Sequence, residues 1–571
     1  MNVLANLLIS TYFNQFHCIL IFSNNHFEYN SKIPIVSVGC DEKIDENVVF
    51  KYHGCQGIVI SCENDLWIFE NFEFLLKSNL ERFNFRRYLI FGGNFEIFSS
   101  KSIDYVADVV MVSKEFDFDN KFGLGYDSIF GMYTHRYVGE KSQREIVLLD
   151  KWFLKNQSFS FNFNLYLDKL QDQNGRELKI ATFNYEPYSI PGNKDGTEML
   201  VVLEFAKRYK MTPTFLVDDV GMWGEIYDNW TGIGILGNLA MDKGDVGIGA
   251  LYTWEHDFHF LDFTKPTIRT GVTCIAPKPK IIGGWITPFL AFSWKLWIVL
   301  IIAIIIIFSS IFYVLTFNTS KSFLQENLMK SFILTQSIFL LQSIPKFPSN
   351  SRIIFALSLL LSLMTATLYN SGLASIMTVP RYKGTIDDVY DLIKSDVKWG
   401  ASSYAWISSL YDDNSDVYKE VVNNFYKGSP DDLRKRNNES FAFAIERLHG
   451  GHYAIGEYIT KEGIQERRLM SQDIYWDYCI VMLRKSSILT PKFDNLILEI
   501  SQTGLPSFWE YQVSVRNSDM KLQEAVHNSG HQPHSSSLIK LSFTHLEGAF
   551  ALWILGIIIS CIAFLWELRP K

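Results

Sequence analysis

Residues 296–317 read LWIVLIIAIIIIFSSIFYVLTF, without a single charge. A helix needs about 20 apolar residues to cross the hydrocarbon core of a bilayer, and this run suffices. Residues 353–378 (IIFALSLLLSLMTATLYNSGLASIMT) and 548–566 (GAFALWILGIIISCIAFLW) meet the same criterion. Between the first two lies a shorter apolar run, SFILTQSIFLLQSI at residues 331–344, which cannot span. Held between two spanning helices by short polar links, it reads as a re-entrant segment. Backbone that turns back inside a membrane persists only where protein or water satisfies its polar groups, which is the situation of a pore loop.

Charge sets the orientation. Lys321, Lys330, Lys346 and Arg352 lie in the links around the short run, and Arg569 and Lys571 follow the last span. Basic residues favour the cytoplasmic side. The polar regions before Leu296 and between Arg381 and Lys540 are then expected outside. Asn156, Asn229 and Asn438 each begin an N-x-S/T sequon in those regions, as glycosylation there would need.

The chain has 571 residues, 48% hydrophobic and 20% charged, with a net charge of −8 and no basic run. Nothing in that balance suits nucleic acid or a polybasic membrane patch. Cys18, Cys40, Cys55, Cys62, Cys274, Cys479 and Cys561 show no C-x-x-C spacing, against a zinc or thioredoxin motif. Cys561 reads as a small core residue; the rest could pair in an oxidising compartment, with connectivity open. Residues 7–22 are fairly apolar but broken by Asn14, Gln15 and His17 and lack a preceding basic residue, a poor match to a signal peptide. His256 and His259 read as surface residues. No G-x-S-x-G, P-loop or H-E-x-x-H motif is present, so neither an enzyme nor a cofactor is expected.

The outer regions read as α/β. Strands are expected at LKIATF (178–183), VGIGAL (246–251), VKWGAS and YCIVML (478–483), and helices at 199–209, 386–393 and 493–504. Two α/β halves separated by a membrane insertion suggest one bilobed domain split in sequence.

The order of parts resembles an ionotropic glutamate receptor subunit, and the residues extend the match from Leu178 to the C-terminus. Residues 368–379, LYNSGLASIMTV, are similar to the family's pore-helix segment S-Y-T-A-N-L-A-A-F-L-T-V, with Tyr369, Leu373, Ala374, Thr378 and Val379 identical. Trp230-Thr-Gly is similar to W-x-G. Residues 237–266 end in Asp262, Phe263, Thr264 and Pro266, resembling D-F-[ST]-x-P. LKIATFNYEPY (178–188) looks like the family's opening strand. SIFLLQS (337–343) resembles the loop that places glutamine at the selectivity site, here Gln342. YCIVMLRKSS (478–487) and FDNLILEISQTGLPSFWE (493–510) look like the family's second-lobe ending.

The resemblance implies a multi-pass membrane protein. Its extracellular bilobed α/β ligand-binding domain, periplasmic-binding-protein-like, is split by a channel domain of three transmembrane helices plus a re-entrant pore loop. The implied parts are a short N-terminal extracellular region (1–175), a first lobe (176–285), a transmembrane helix (296–317), the pore loop (323–347), a pore-lining helix (353–378), a second lobe (381–540) and a last helix (546–567). The departures are as telling. The glutamate-binding arginine falls on Asp257 and its paired threonine on Tyr252; Asn370, Ser371 and Gly372 replace T-A-N. The first 170 or so residues look too short for a full amino-terminal clamshell. Together with HLEGAFALW (545–553), these departures resemble the divergent chemosensory ionotropic receptors of insects, which act in taste or smell with a co-receptor.

By that resemblance the ligand-binding candidates are Tyr188, Tyr252, Asp257, Ser403, Tyr404, Glu457 and Tyr478, with solvated or core roles open for each, most of all for Ser403 and Glu457. Gln342 would present a carbonyl dipole to permeating cations, or cap a helix. Tyr369, Asn370, Ser371, Leu373 and Ala374 would form the gate; small residues let helices approach closely in lipid. Lys346 could oppose divalent entry or snorkel to headgroups. The implied partners are a small organic ligand other than glutamate, co-receptor subunits in a heterotetramer, and membrane lipid, in the dendritic or ciliary plasma membrane of sensory neurons. A non-conducting, membrane-anchored binding or trafficking partner is the alternative. A transporter is disfavoured by three spans and no inverted repeat.

Overall fold

Near the N-terminus four short, almost uninterrupted apolar runs have the composition of strands covered on both faces. They become β1 (Ile19–Ser23), β3 (Gly57–Ser61), β4 (Arg87–Phe91) and β5 (Val109–Glu115), with β2 (Ile35–Val38) at one edge and β6 (Ile129–His135), β7 (Ile146–Phe153) and β8 (Ser158–Phe159) beyond the other. The sheet order is β2-β1-β3-β4-β5-β6-β7-β8, parallel as far as β5 and antiparallel after it. The computed structural model describes residues 2–24, 33–51, 54–115, 129–141, 144–279, 286–317, 324–343, 352–378, 384–411, 413, 415–531 and 543–568.

The alternation of strand residues decides which helix each face receives. Ile19 and Ile21 pack with Leu4, Leu8 and Ile9 of helix Asn2–Tyr12, and Leu20 and Phe22 with Ile68, Phe69 and Phe72 of helix Asp65–Ser78. The apolar stretch at residues 7–22 is therefore core-forming helix and strand. Disulfides Cys18–Cys55 and Cys40–Cys62 close the β1–β3 region. Glu73 and Arg86 form a buried bidentate pair at 2.6 and 2.7 Å. The region expected as a short N-terminal extracellular part (1–175) is thus a folded α/β layer.

The second sheet carries the two lobes. Lobe one contains β9 (Glu177–Thr182), β10 (Thr212–Val217), a small hairpin of β11 (Glu225–Ile226) and β12 (Gly232–Ile233), β13 (Val246–Leu251) and β14 (Leu261–Phe263). Lobe two contains β16 (Trp399–Ala401), β17 (Phe425–Lys427), β18 (Ala442–Arg447), β19 (Tyr453–Ala454) and β20 (Arg467–Leu469). Two ten-residue strands join the lobes, β15 (Ile268–Pro277) and β21 (Tyr475–Arg484). β21 pairs with β15 through Tyr475 to Cys479, and then with β13 and β14 through Ile480 to Arg484. The expected helices form at Thr197–Arg208, Val389–Lys394 and Thr490–Thr503. Asp388 caps the second by accepting from Asp391 N at 2.8 Å, and Gly504, at φ 74, stops the third where a left-handed residue is needed.

The first lobe also rests on the N-terminal layer. Asp262 is the hub: it accepts from Ser486 N, Ser487 N and Thr490 Oγ1, each at 2.9 Å, and from Asn84 Nδ2, and its carboxylate lies 3.2 Å from Arg82 Nε. Lys77 and Arg484 both pair with Asp242, and Lys141 with Asp245. The aspartate of the D-F-T-K-P segment is therefore a structural acceptor, and Trp230 of the W-T-G segment packs edge-on against Phe260 with Lys77 over its ring.

Contacts divide the chain into Met1–Pro277 with Asp387–Gly530, described above, and Lys278–Ile386 with His531–Lys571. Three helices of the second body are long and apolar enough to cross a membrane, Trp294–Phe317, Arg352–Thr378 and Leu546–Trp566. The short run becomes helix Leu324–Phe339, which begins seven residues before the apolar stretch. Ser362 Oγ of Arg352–Thr378 donates to Ile338 O at 2.6 Å, joining that helix to the short one. Ile307, Ile311, Ile338 and Phe355 form their shared core. Cys561 is exposed on its helix rather than in a core, because nearly all side chains of that apolar span face outward. Lys321, Lys346, Val379, Arg381, Lys540, Arg569 and Lys571 lie outside the described residues, as do 344–347 of the expected pore loop.

Candidate functional site

The lobes meet over a buried carboxylate. Glu446 sits in β18 opposite Val272 of β15 and Ala454 of β19, and is only 3% exposed. Around it stand Tyr185 and Tyr188, stacked with ring centroids 5.2 Å apart, and Tyr252, whose hydroxyl pairs with Thr270 Oγ1 at 3.1 Å. Trp223, Tyr252, Trp254, Ala250, Ala405, Trp406 and Glu446 line a small cavity of about 10 Å³, the size of a single water site. It adjoins a cleft of about 540 Å³ that shares Trp223 and Trp406 and whose lining includes Glu186, Asp219 and Glu457.

Local sequence explains how lobe one supplies its wall. Gly249 has φ 141 and Ala250 φ 56, so β13 bulges between Gly247 and Leu251. Glu198, near the start of helix Thr197–Arg208, pins the bulge by accepting from Gly249 N at 2.8 Å and Ala250 N at 2.9 Å. Trp223 Nε1 donates to Gly249 O at 2.7 Å, which fixes that indole. In lobe two, the Tyr475 hydroxyl donates to Trp406 O at 2.7 Å and anchors the short helix bearing Trp406.

Burial raises the carboxyls of Glu198 and Glu446 to about 7. For Glu446 the neighbouring hydroxyls of Tyr188, Tyr185 and Tyr252 offset part of that rise; for Glu198 the two backbone N–H groups do, and Glu446 raises it further. Each group is raised in the fold above its unfolded value, so between about 4.5 and 7 the folded chain holds protons the unfolded chain has lost. Stability from these groups is greatest in acid and falls as pH rises toward 7. A shift of this size is worth about 3 kcal/mol per carboxyl. Wild type should therefore lose stability relative to Glu198→Gln between pH 5 and 8. Denaturant melts of both proteins at the two pH values measure it, and a difference that does not change with pH would contradict the assignment.

The structure brings together only part of the sequence-derived set. Tyr188 and Tyr252 are buried beside Glu446, and Glu457 lines the mouth of the cleft. Ser403 is half-buried, its Oγ accepting from Ala405 N, next to cleft-lining Ser402. Tyr404 is exposed under Lys427, whose Nζ lies 4.8 Å from its ring, and Tyr478 is exposed beside Trp476. Asp257 is buried on a four-residue helix with His256 Nδ1 at 3.5 Å, and burial lifts its carboxyl to about 6. His256 and His259 are exposed. Glu446, Trp223, Trp254, Trp406 and Tyr185 were not expected. The run AFAIER carries a strand signal and one acid, but only the lobe packing turns Glu446 inward.

In the second body, the Tyr369 hydroxyl donates to Pro288 O at 3.0 Å, and a Cβ on Gly372 would come within 2.9 Å of Ala291 O, so glycine permits that approach. Asn370, Ser371 and Ala374 are exposed on the same helix, and Leu373 is half-buried. Gln342 is exposed just past the short helix; its backbone N donates to Ser337 O at 2.8 Å. Asn156, Asn229 and Asn438 are all exposed. Among the described residues no cluster of three or more metal-ligating side chains occurs.

Residues 293–557 match the family model described as "Ligand-gated ion channel". The chain is 20% identical over 443 residues to a glutamate receptor of Lymnaea stagnalis, covering 72% of this chain and 47% of that protein. It is 21% identical over 473 residues to the delta-2 ionotropic glutamate receptor of Mus musculus, covering 75% of this chain and 44% of that one. The chain spans less than half the length of these relatives.

Proposed function

We propose that this chain, a distant homologue within the ionotropic glutamate receptor-like ligand-gated ion channel family, is a subunit of a cation channel opened by a small organic molecule other than glutamate. The observation that carries this reading is the cleft between two lobes whose chain is interrupted by two spans and a short helix and followed by a third span, in the region that matches the channel family. A ligand that binds the closed lobes better than the open ones shifts them toward closure, and that difference in affinity is the work available to a gate.

Glutamate suits this cleft poorly. Among the described residues, the lining of the cleft includes Glu186, Asp219 and Glu457 and no arginine or lysine that could clamp an α-carboxylate. The exposed face of Asn370, Ser371 and Ala374 fits a crossing of several subunits, four by family resemblance. Gln342 fits a loop facing the permeation path. Disulfides persist in oxidising compartments, in keeping with an extracellular N-terminal layer, and the exposed sequons at Asn156 in that layer and at Asn229 and Asn438 in the lobes suit the same side. The loosened gate segment and altered ligand site favour a tuning subunit that works with a co-receptor in a chemosensory neuron.

Whole-cell current under ligand perfusion is the test. The chain with a co-receptor should conduct under an organic stimulus and stay silent to glutamate; the chain alone should give little current. Ala374→Trp should overpack the crossing by about 1–3 kcal/mol and produce leak or a shifted dose response. Ligand binding without current in any combination would leave the membrane-anchored binding partner as the correct reading.

A further inference from the structure

The short helix Leu324–Phe339 ends in a way its sequence does not favour. Leu341 N donates to Ile338 O at 3.1 Å and Gln342 N to Ser337 O at 2.8 Å, the paired bonds of a helix C-terminus closed by one left-handed residue. That residue is Leu341, at φ 51, where glycine is the usual choice because it has no Cβ to crowd the backbone. A leucine held there is strained, and such strain persists only where the surroundings over-determine the backbone. Helix Arg352–Thr378 supplies a restraint. Ser362 is 1% exposed, and its Oγ donates to Ile338 O at 2.6 Å, so that carbonyl accepts from the cap amide and from a neighbouring helix together. A carbonyl oxygen has two lone pairs and can take both. Ile338 is buried with Ile307, Ile311 and Phe355, an apolar setting that keeps water from the bond. Other hydroxyls of these two helices bond within their own helix, Ser331 to Asn327 O, Thr335 to Ser331 O and Ser358 to Ile354 O; Ser362 departs from that pattern by reaching across.

Resting on the channel reading above, in which Gln342 faces the permeation path, we infer that Ser362 is a positioning residue for ion selectivity: its hydroxyl clasps the strained cap from which Gln342 projects. Gln342 directly follows the left-handed residue, so any relaxation of Leu341 toward negative φ breaks the Gln342 N bond to Ser337 O and swings the glutamine away. The side chain has little hold of its own, since its Nε2 lies 3.4 Å from Leu340 O. The backbone therefore sets where the amide stands. The placing of the dipoles that replace a cation's hydration shell decides which ions pass, so a cap that shifts changes selectivity. Ser362 touches no ion in this scheme; it acts through Ile338, Leu341 and Gln342.

The test pairs hydrogen exchange with permeability. In the purified full-length chain in detergent, Ser362→Ala should speed amide exchange at Leu341 and Gln342 by roughly tenfold, while the body of the short helix exchanges as in wild type. Ser362→Thr keeps the hydroxyl and should restore slow exchange. Adding Leu341→Gly to Ser362→Ala should do so too, because glycine adopts that φ without strain and the cap then needs no clasp. Leu341→Val, whose branched Cβ tolerates a positive φ poorly, should reproduce the fast exchange with Ser362 intact, so misfolding of one variant cannot hide the result. Permeability is read from the leak of Ala374→Trp expressed with a co-receptor subunit, which needs no stimulus. There Ser362→Ala should shift the calcium-to-sodium permeability ratio by about twofold, and Ser362→Thr should return it. A serine that served packing alone would change the size of the current and not the ratio. Unchanged exchange in folded Ser362→Ala, or faster exchange with an unmoved ratio, would overturn the proposal and leave the channel reading standing. No conductance, leaking or evoked, from any subunit combination would overturn the channel reading and the selectivity role with it.

Discussion

Asp262→Ala should destabilise the ligand-binding body by about 3–5 kcal/mol, the range found when a buried charge partner is removed. The reasoning is local. One carboxylate, 1% exposed, accepts from two successive backbone N–H groups, a threonine hydroxyl and an asparagine amide, and faces a guanidinium. Alanine leaves all of these without an acceptor and leaves Arg82 without its carboxylate. Asp262→Asn should also be costly, because an amide nitrogen would oppose N–H groups that need an acceptor. Denaturant melts of the purified chain and surface labelling of cells read the loss. A melt within 1 kcal/mol of wild type for both variants would show that the hub contributes little.

Arg467→Met should cost a similar amount. The guanidinium is 1% exposed and donates to the carbonyls of Phe441, Asn437, Gly463, Arg436 and Glu439 at 2.8–3.0 Å. Each buried carbonyl left unpaired costs about 1–3 kcal/mol, partly relieved by relaxation. Phe441 immediately precedes β18, so these bonds fix the start of the strand that carries Glu446. The variant should therefore melt earlier and bind ligand more weakly. Arg467→Lys, with three donors on a point charge, should recover only part of either loss. Equal stability and affinity in the methionine variant would rule out this role.

What the sequence discloses depends on the range of the forces involved. The three spans and the strands at 178–183, 246–251 and 478–483 are legible because length and local apolarity decide them. The N-terminal sheet was readable by the same signal, since ILIFS, GIVIS and RYLIF are buried parallel strands, yet short runs without alternation do not announce themselves. The floor of the cleft was not legible. Glu446 becomes a cavity residue only when β18 pairs with β15, and Trp223, Trp254 and Trp406 converge from both lobes. Counting from a family motif finds Tyr188 and Tyr252 but leads to Glu457, eleven residues past the acid that lies within. The same counting leads to Asp257, whose carboxylate faces His256.

The Arg82–Asp262 contact bears on where this protein can be cut. A soluble fragment that began at residue 176 and bypassed the membrane insert would keep every strand of both lobes and still be incomplete. Asp242 would lose Lys77, Asp245 would lose Lys141, and Asp262 would lose both Arg82 and Asn84. Three carboxylates would then share a freshly uncovered face, and Arg176 would lose the carbonyls of Tyr137 and Asp104 to which it donates. The smallest transplantable cassette is therefore the N-terminal layer and the lobes together, and a chimera joined at residue 176 would import a ligand site with its foundation missing.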